Sequence, residues 1–128
     1  ALEYYAKVAK HNGVVFVASD FYDKGFELTL RRVGKKHDVL AVRMRDKIEE
    51  EVPPLGMVEM QDSETGEFFW VDSKAYRFRT RFSAGGKNFE KQLEQSFLQA
   101  EVDRLYLWSH EDYFAKVVAF FLSRKRRK

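Results

Sequence analysis

The stretch VVFVASDF, residues 14–21, decides the fold. Val14 to Ala18 is an unbroken apolar run dominated by β-branched and aromatic residues, the signature of a parallel strand covered by helices on both faces. The run stops at Ser19 and Asp20, a polar turn. Open α/β sheets hold their ligands at this end of their strands. Downstream, Phe26 to Lys36 reads as a helix with Phe26, Leu30 and Val33 toward the sheet. Val39 to Arg45 is the next strand. Strand, helix and strand together make a βαβ unit, for which a right-handed crossover is expected.

Upstream, Ala1 to Lys10 is predicted as a helix, with Leu2, Tyr5, Val8 and Ala9 at helical spacing and Gly13 suited to a left-handed C-cap. After the second strand, Asp46 to Pro54 is an acidic connection that ends in a double proline. Met57 to Gln61 and Glu67 to Val71 flank a polar turn and predict a β-hairpin, projecting from the sheet or pairing at its edge. Ser73 to about Ala100 is the longest helical stretch, and a kink, a break or local mobility is expected at Gly85-Gly86. Arg104 to Trp108 reads as a third short strand. SHED at 109–112 then resembles a capping box opening a helix that runs from His110 to about Ser123. Apolar residues cover most of that helix's circumference, so it needs burial on more than one side.

The chain has 128 residues, 45% of them apolar, with 12 Phe and no Cys. This is enough for a packed core, and it excludes disulfides and cysteine nucleophiles. No window is apolar enough to span a membrane, and none resembles a secretory leader. The formal charge is +3. The last five residues, 124–128, are all basic, and without them the body holds 18 basic against 20 acidic residues. The basic balance is therefore a tail effect, and nucleic acid is not the expected partner. The organisation expected is one α/β domain over residues 1–123 and a solvated basic tail over 124–128, which five charges would draw only weakly to an anionic surface.

Asp20 is the best single candidate for chemistry. A carboxylate at the tip of a parallel strand reaches a divalent cation through oxygen, and Ser19 adds a hydroxyl. The competing reading is that both residues shape the turn or cap the next helix. His11, His37 and His110 sit apart, with no metal-ligand spacing. Glu49, Glu50 and Glu51 read as a solvated linker or as a docking patch for a basic partner. Trp70, with Phe68 and Phe69, is either covered by the long helix or forms a contact surface, because aromatic residues concentrate at interface cores. No catalytic triad order, Walker loop or glycine fingerprint is present, so no enzyme is expected.

VVFVASDF at 14–21, HDVLAVRMRD at 37–46, PPLGMVEMQDSETGEFFWVD at 53–72 and VDRLYLWSHEDY at 102–113 together resemble the bacterial "domain of unknown function 58" family. That resemblance implies a partial doubly wound, mostly parallel α/β sheet of von Willebrand factor A type, with an inserted hairpin and flanking helices. It also implies that the chain corresponds to the C-terminal half of such a domain. Members are commonly encoded near MoxR-type AAA+ ATPases, which implies an assembly or chaperone-like partnership with one; a non-catalytic interaction module in the cytoplasm is expected. In the wider superfamily an Asp after the fourth strand helps to hold Mg²⁺, and Asp20 matches it. The other ligands there come from an Asp-x-Ser-x-Ser loop after the first strand and a Thr from a second loop; no Asp-x-Ser-x-Ser occurs here, so the resemblance implies no cofactor in this chain and Mg²⁺ only in a longer one. The alternative function is then a divalent-metal-dependent binding domain with an incomplete site. The implied strand order leaves Val14 to Ala18 open along one edge, with Val14 and Phe16 beside it. A homo-oligomer across that strand, or poor solubility, is expected.

Overall fold

The computed structural model describes residues 1–127, with side chains through Lys125. The chain divides into two compact units, residues 1–46 with 92–128, and residues 47–91.

The first unit holds helix α1 (Leu2–Val8), strand β1 (Val14–Ser19), helix α2 (Glu27–Gly34) and strand β2 (Asp38–Arg45). The end of helix α4 (Tyr76–Ala100), strand β5 (Asp103–Trp108) and helix α5 (Tyr113–Arg127) complete it. The strands form a parallel sheet in the order β1-β2-β5. The register places Val14, Phe16, Asp38, Leu40 and Asp103 on one face and Val15, Val17, Ala41, Arg104 and Tyr106 on the other. Helix α5 lies on the first face: the Phe121 ring sits 5.9 Å from that of Phe16, and Arg124 bonds Asp38 and Asp103. Helix α4 lies on the second, where Glu94 takes hydrogen bonds from Arg104 and Tyr106. Helices thus cover both faces of a three-stranded parallel sheet, a mixed α/β arrangement.

The core sits around β2, where Val39, Leu40, Ala41 and Arg43 are buried, with Leu30 and Val33 from α2 and Leu93, Phe97 and Ala100 from α4. Phe97 is fully buried and meets the Phe21 ring edge-on at 5.0 Å. Burying such a ring stabilises the fold by about 1.5–3 kcal/mol.

The second unit contains the short helix α3 (Lys47–Glu50), strands β3 (Met57–Gln61) and β4 (Phe68–Asp72), and the first part of α4. The strands pair antiparallel as a two-stranded sheet of their own. Asp62 builds the turn: its Oδ1 accepts from the Glu64 and Thr65 amides at 2.7 and 2.9 Å. Gly66 closes it at φ 75°, a conformation that favours glycine. Buried Ser73 fastens the base, donating through Oγ to the Gly56 carbonyl at 2.7 Å and accepting from the Leu55 amide at 2.9 Å.

Several expectations are corrected. The run at Val14–Ala18 is not buried on both faces: Val14 is 57% and Phe16 55% exposed. β1 is an edge strand, and the strand flanked on both sides is β2. Helix α4 runs unbroken through Gly85-Gly86. A Cβ on Gly86 would stand 3.1 Å from the Glu49 carbonyl oxygen, so this glycine admits a neighbouring backbone rather than a kink. Ala9, not a left-handed Gly13, ends α1. Asp112 caps α5 by accepting from the Phe114 amide at 3.1 Å, while Ser109 Oγ donates to Asp46 at 2.9 Å. Helix α5 continues past Ser123 through Arg127, because Arg124 is held by two carboxylates. Of the basic tail, Lys128 and the side chains of residues 126 and 127 lie outside the described residues.

Candidate functional site

The carboxyl end of β1 is built around Phe21. Its ring is 5% exposed and packs against Phe26 at 5.3 Å as well as Phe97. Reaching that pocket directly after a strand puts its backbone at φ 56°, a costly left-handed conformation for a bulky residue. The preceding turn is then closed by side chains. Ser19 Oγ accepts from the Phe21 amide at 3.0 Å, and Asp20 Oδ1 accepts from the Tyr22 amide at 3.3 Å. Ser19 also lies 3.5 Å from Asp20, donating to the same Oδ1. Both candidate metal ligands thus serve the turn, with Asp20 exposed to solvent. Among the described residues, no group of three or more His, Cys, Asp or Glu is placed to hold a metal ion. Ser19 and Asp20 alone therefore do not fit a Mg²⁺ site, which needs about six oxygens.

Other groups gather at the same end of the sheet. The Arg43 guanidinium lies 5.1 Å from the Tyr22 ring centre, and Arg45 lies 4.4 Å from that of Trp108. Ser109 ties the end of β5 to the end of β2 through its amide to Arg45 and its hydroxyl to Asp46. The histidines stay apart: His37 is buried against Tyr5 at 5.3 Å, and His110 stands 5.8 Å from Trp108.

The larger feature is apolar. β1 has one neighbour, β2, and its other edge has no strand partner among the described residues. Beside that edge Val14 and Phe16 are exposed. On the same sheet face, α5 presents Phe114, Val118, Phe121 and Leu122 at helical spacing, between 38% and 69% exposed. The breadth of apolar residue on α5 predicted burial on more than one side, and this stripe is the side left open.

On the hairpin, Phe68 and Trp70 are about two-thirds exposed, so the long helix does not cover them. Asp62 ionises more easily than an ordinary carboxyl because the Thr65 and Glu64 amides bond its charged form. The Asp38 hydrogen bond holds the Arg124 guanidinium above its ordinary pKa.

Sequence reasoning missed Ser73, Arg124 and the Phe21 backbone. Ser73 carried no visible signal, and Arg124 was hidden in a basic run. The Ser-Asp-Phe turn after a strand was the one clue to Phe21.

Among the described residues, no helix is long and apolar enough to cross a membrane. A family model described as "Protein of unknown function DUF58" matches residues 1–92. Uncharacterized protein MAV169 of Mycobacterium avium is 26% identical over 129 residues, spanning 98% of this chain and 75% of that protein. Uncharacterized protein Rv1480 of Mycobacterium tuberculosis is also 26% identical over 129 residues, and there the chain spans 40% of the relative's length. No solved structure matches.

Proposed function

The chain belongs to the DUF58 family, whose function is unknown, and on that premise we propose that it is a non-catalytic protein-interaction module. In this reading it is part of a von Willebrand factor A-like domain in the cytoplasm, and its partner is an AAA+ ATPase of the MoxR type. The observation that supports docking is the unpaired edge of β1 flanked by exposed Val14 and Phe16. An incoming strand satisfies the open amides and carbonyls of that edge, and its apolar side chains cover Phe16 and the α5 stripe. Without the ATPase, the same edge pairs with a second copy.

The test measures binding to a purified MoxR-type ATPase from a bacterium encoding this chain, together with sedimentation of the chain alone. Phe16→Asp sets a charge beside the edge at an exposed position. It is expected to abolish both ATPase capture and self-association while leaving the circular dichroism unchanged. A chain that stays monomeric at high concentration and captures no ATPase sinks the proposal.

A further inference from the structure

We infer that the outer face of the β3–β4 hairpin docks an extended, arginine- or lysine-bearing segment of a partner protein. The pairs Met57–Asp72, Glu59–Trp70 and Gln61–Phe68 share one face of the hairpin, and all six residues are exposed. Phe68 is 65% and Trp70 64% exposed, so two large rings stand in water. Glu59 is the direct cross-strand partner of Trp70. A guanidinium or ammonium laid on the indole meets the negative face of the ring and a carboxylate together.

Charge selects the occupant. Eight acidic residues and no basic one lie between Lys47 and Lys74, although the whole chain carries +3. The hairpin's share of these acids repels phosphates and anionic lipids and attracts cations. An extended partner repeats its side chains about every 6.6–6.8 Å on one side, the same repeat that separates Met57, Glu59 and Gln61 along β3. In a segment of alternating basic and apolar residues every basic side chain therefore falls on one side, where it meets the carboxylates of Glu59 and Asp72 and the rings of Trp70 and Phe68. The Asp62 turn and the Ser73 fastening hold the face in place before docking, which lowers the entropy cost of binding. This site lies in the second unit and is independent of the β1 edge.

The test is fluorescence anisotropy of a labelled peptide of alternating Arg and Leu, titrated with the full chain. Saturable binding is expected, weakening as salt rises from about 0.1 M to about 1 M and screening tightens from about 10 Å to 3 Å. Trp70→Ala and Glu59→Lys are each expected to weaken it about fivefold or more. Leu28→Ser on α2 is expected to leave it unchanged, and circular dichroism checks that each variant is folded. Equal binding by Trp70→Ala, or equal binding of an Asp-Leu peptide, overturns the inference. So does Trp70-dependent partition onto phosphatidylcholine vesicles, or a dimer that Trp70→Ala dissolves, since either assigns the face a different occupant.

Discussion

Gly85 and Gly86 sit side by side in α4, and they are expected to respond oppositely to alanine. Each glycine costs the helix about 1 kcal/mol relative to alanine. At Gly85 a new Cβ meets nothing within 4 Å, so Gly85→Ala realises the whole gain. At Gly86 it would stand 3.1 Å from the Glu49 carbonyl oxygen, tighter than ordinary contact. The backbone of α3 must then retreat by a few tenths of an ångström. Glu51, two residues on, is anchored to Arg79 at 2.8 Å, which resists that movement. Overpacking costs typically about 1–3 kcal/mol, enough to cancel or reverse the helix gain. Urea melts followed by helical circular dichroism measure the difference. With a slope of about 2 kcal/mol per molar, Gly85→Ala raises the midpoint by about 0.5 M, while Gly86→Ala leaves it unchanged or lower. Equal stabilisation by the two substitutions would refute the close approach, and no gain at Gly85 would refute the continuous helix.

Arg124→Ala is expected to cost about 1 kcal/mol, no more, because both carboxylate partners are over two-fifths exposed and water screens them; thermal melts at low and high salt check this, with a smaller loss at high salt. The Asp62 carboxyl has a lowered pKa in the folded chain, so its turn-stabilising effect is complete above its ordinary value of 3.8 and fades as pH falls through the lowered one. The Glu64 and Thr65 amide resonances should report that titration, and Asp62→Ala should remove it. Calorimetry with Mg²⁺ is expected to give no saturable heat, since Ser19 and Asp20 are spent on the turn; saturable heat that Asp20→Ala abolishes would show a site the two oxygens alone do not explain.

The elements themselves were legible, because period and punctuation are local: all the longer strands and helices fall within a few residues of their expected positions. The hairpin was readable from its polar turn. Burial was harder to read. VVFVA and DVLAV have the same apolar character, yet one lies at an edge and the other at the centre, and position in a sheet is a long-range property. Gly85-Gly86 misled because helix propensity records the cost of glycine but not the neighbour that requires it. Ser109 looked like a cap by spacing, but Asp46, far away in sequence, offered it a better partner. At the candidate site, the exposure of Trp70 and the local bonding of Asp20 depended on what packs nearby, which composition does not specify.

The order β1-β2-β5 also sets a hierarchy of opening. Among the described residues only β2 has both of its edges bonded, and four of its residues are buried. Its amide protons between 38 and 45 can meet solvent deuterons only when the first unit opens as a whole, so they should exchange last. The outward amides of β1 need no such event and should exchange within the earliest time points. That uneven protection across two adjacent strands would distinguish a sheet already complete in this chain from one still waiting for a neighbour: a bound strand would slow β1 and leave β2 almost as it was.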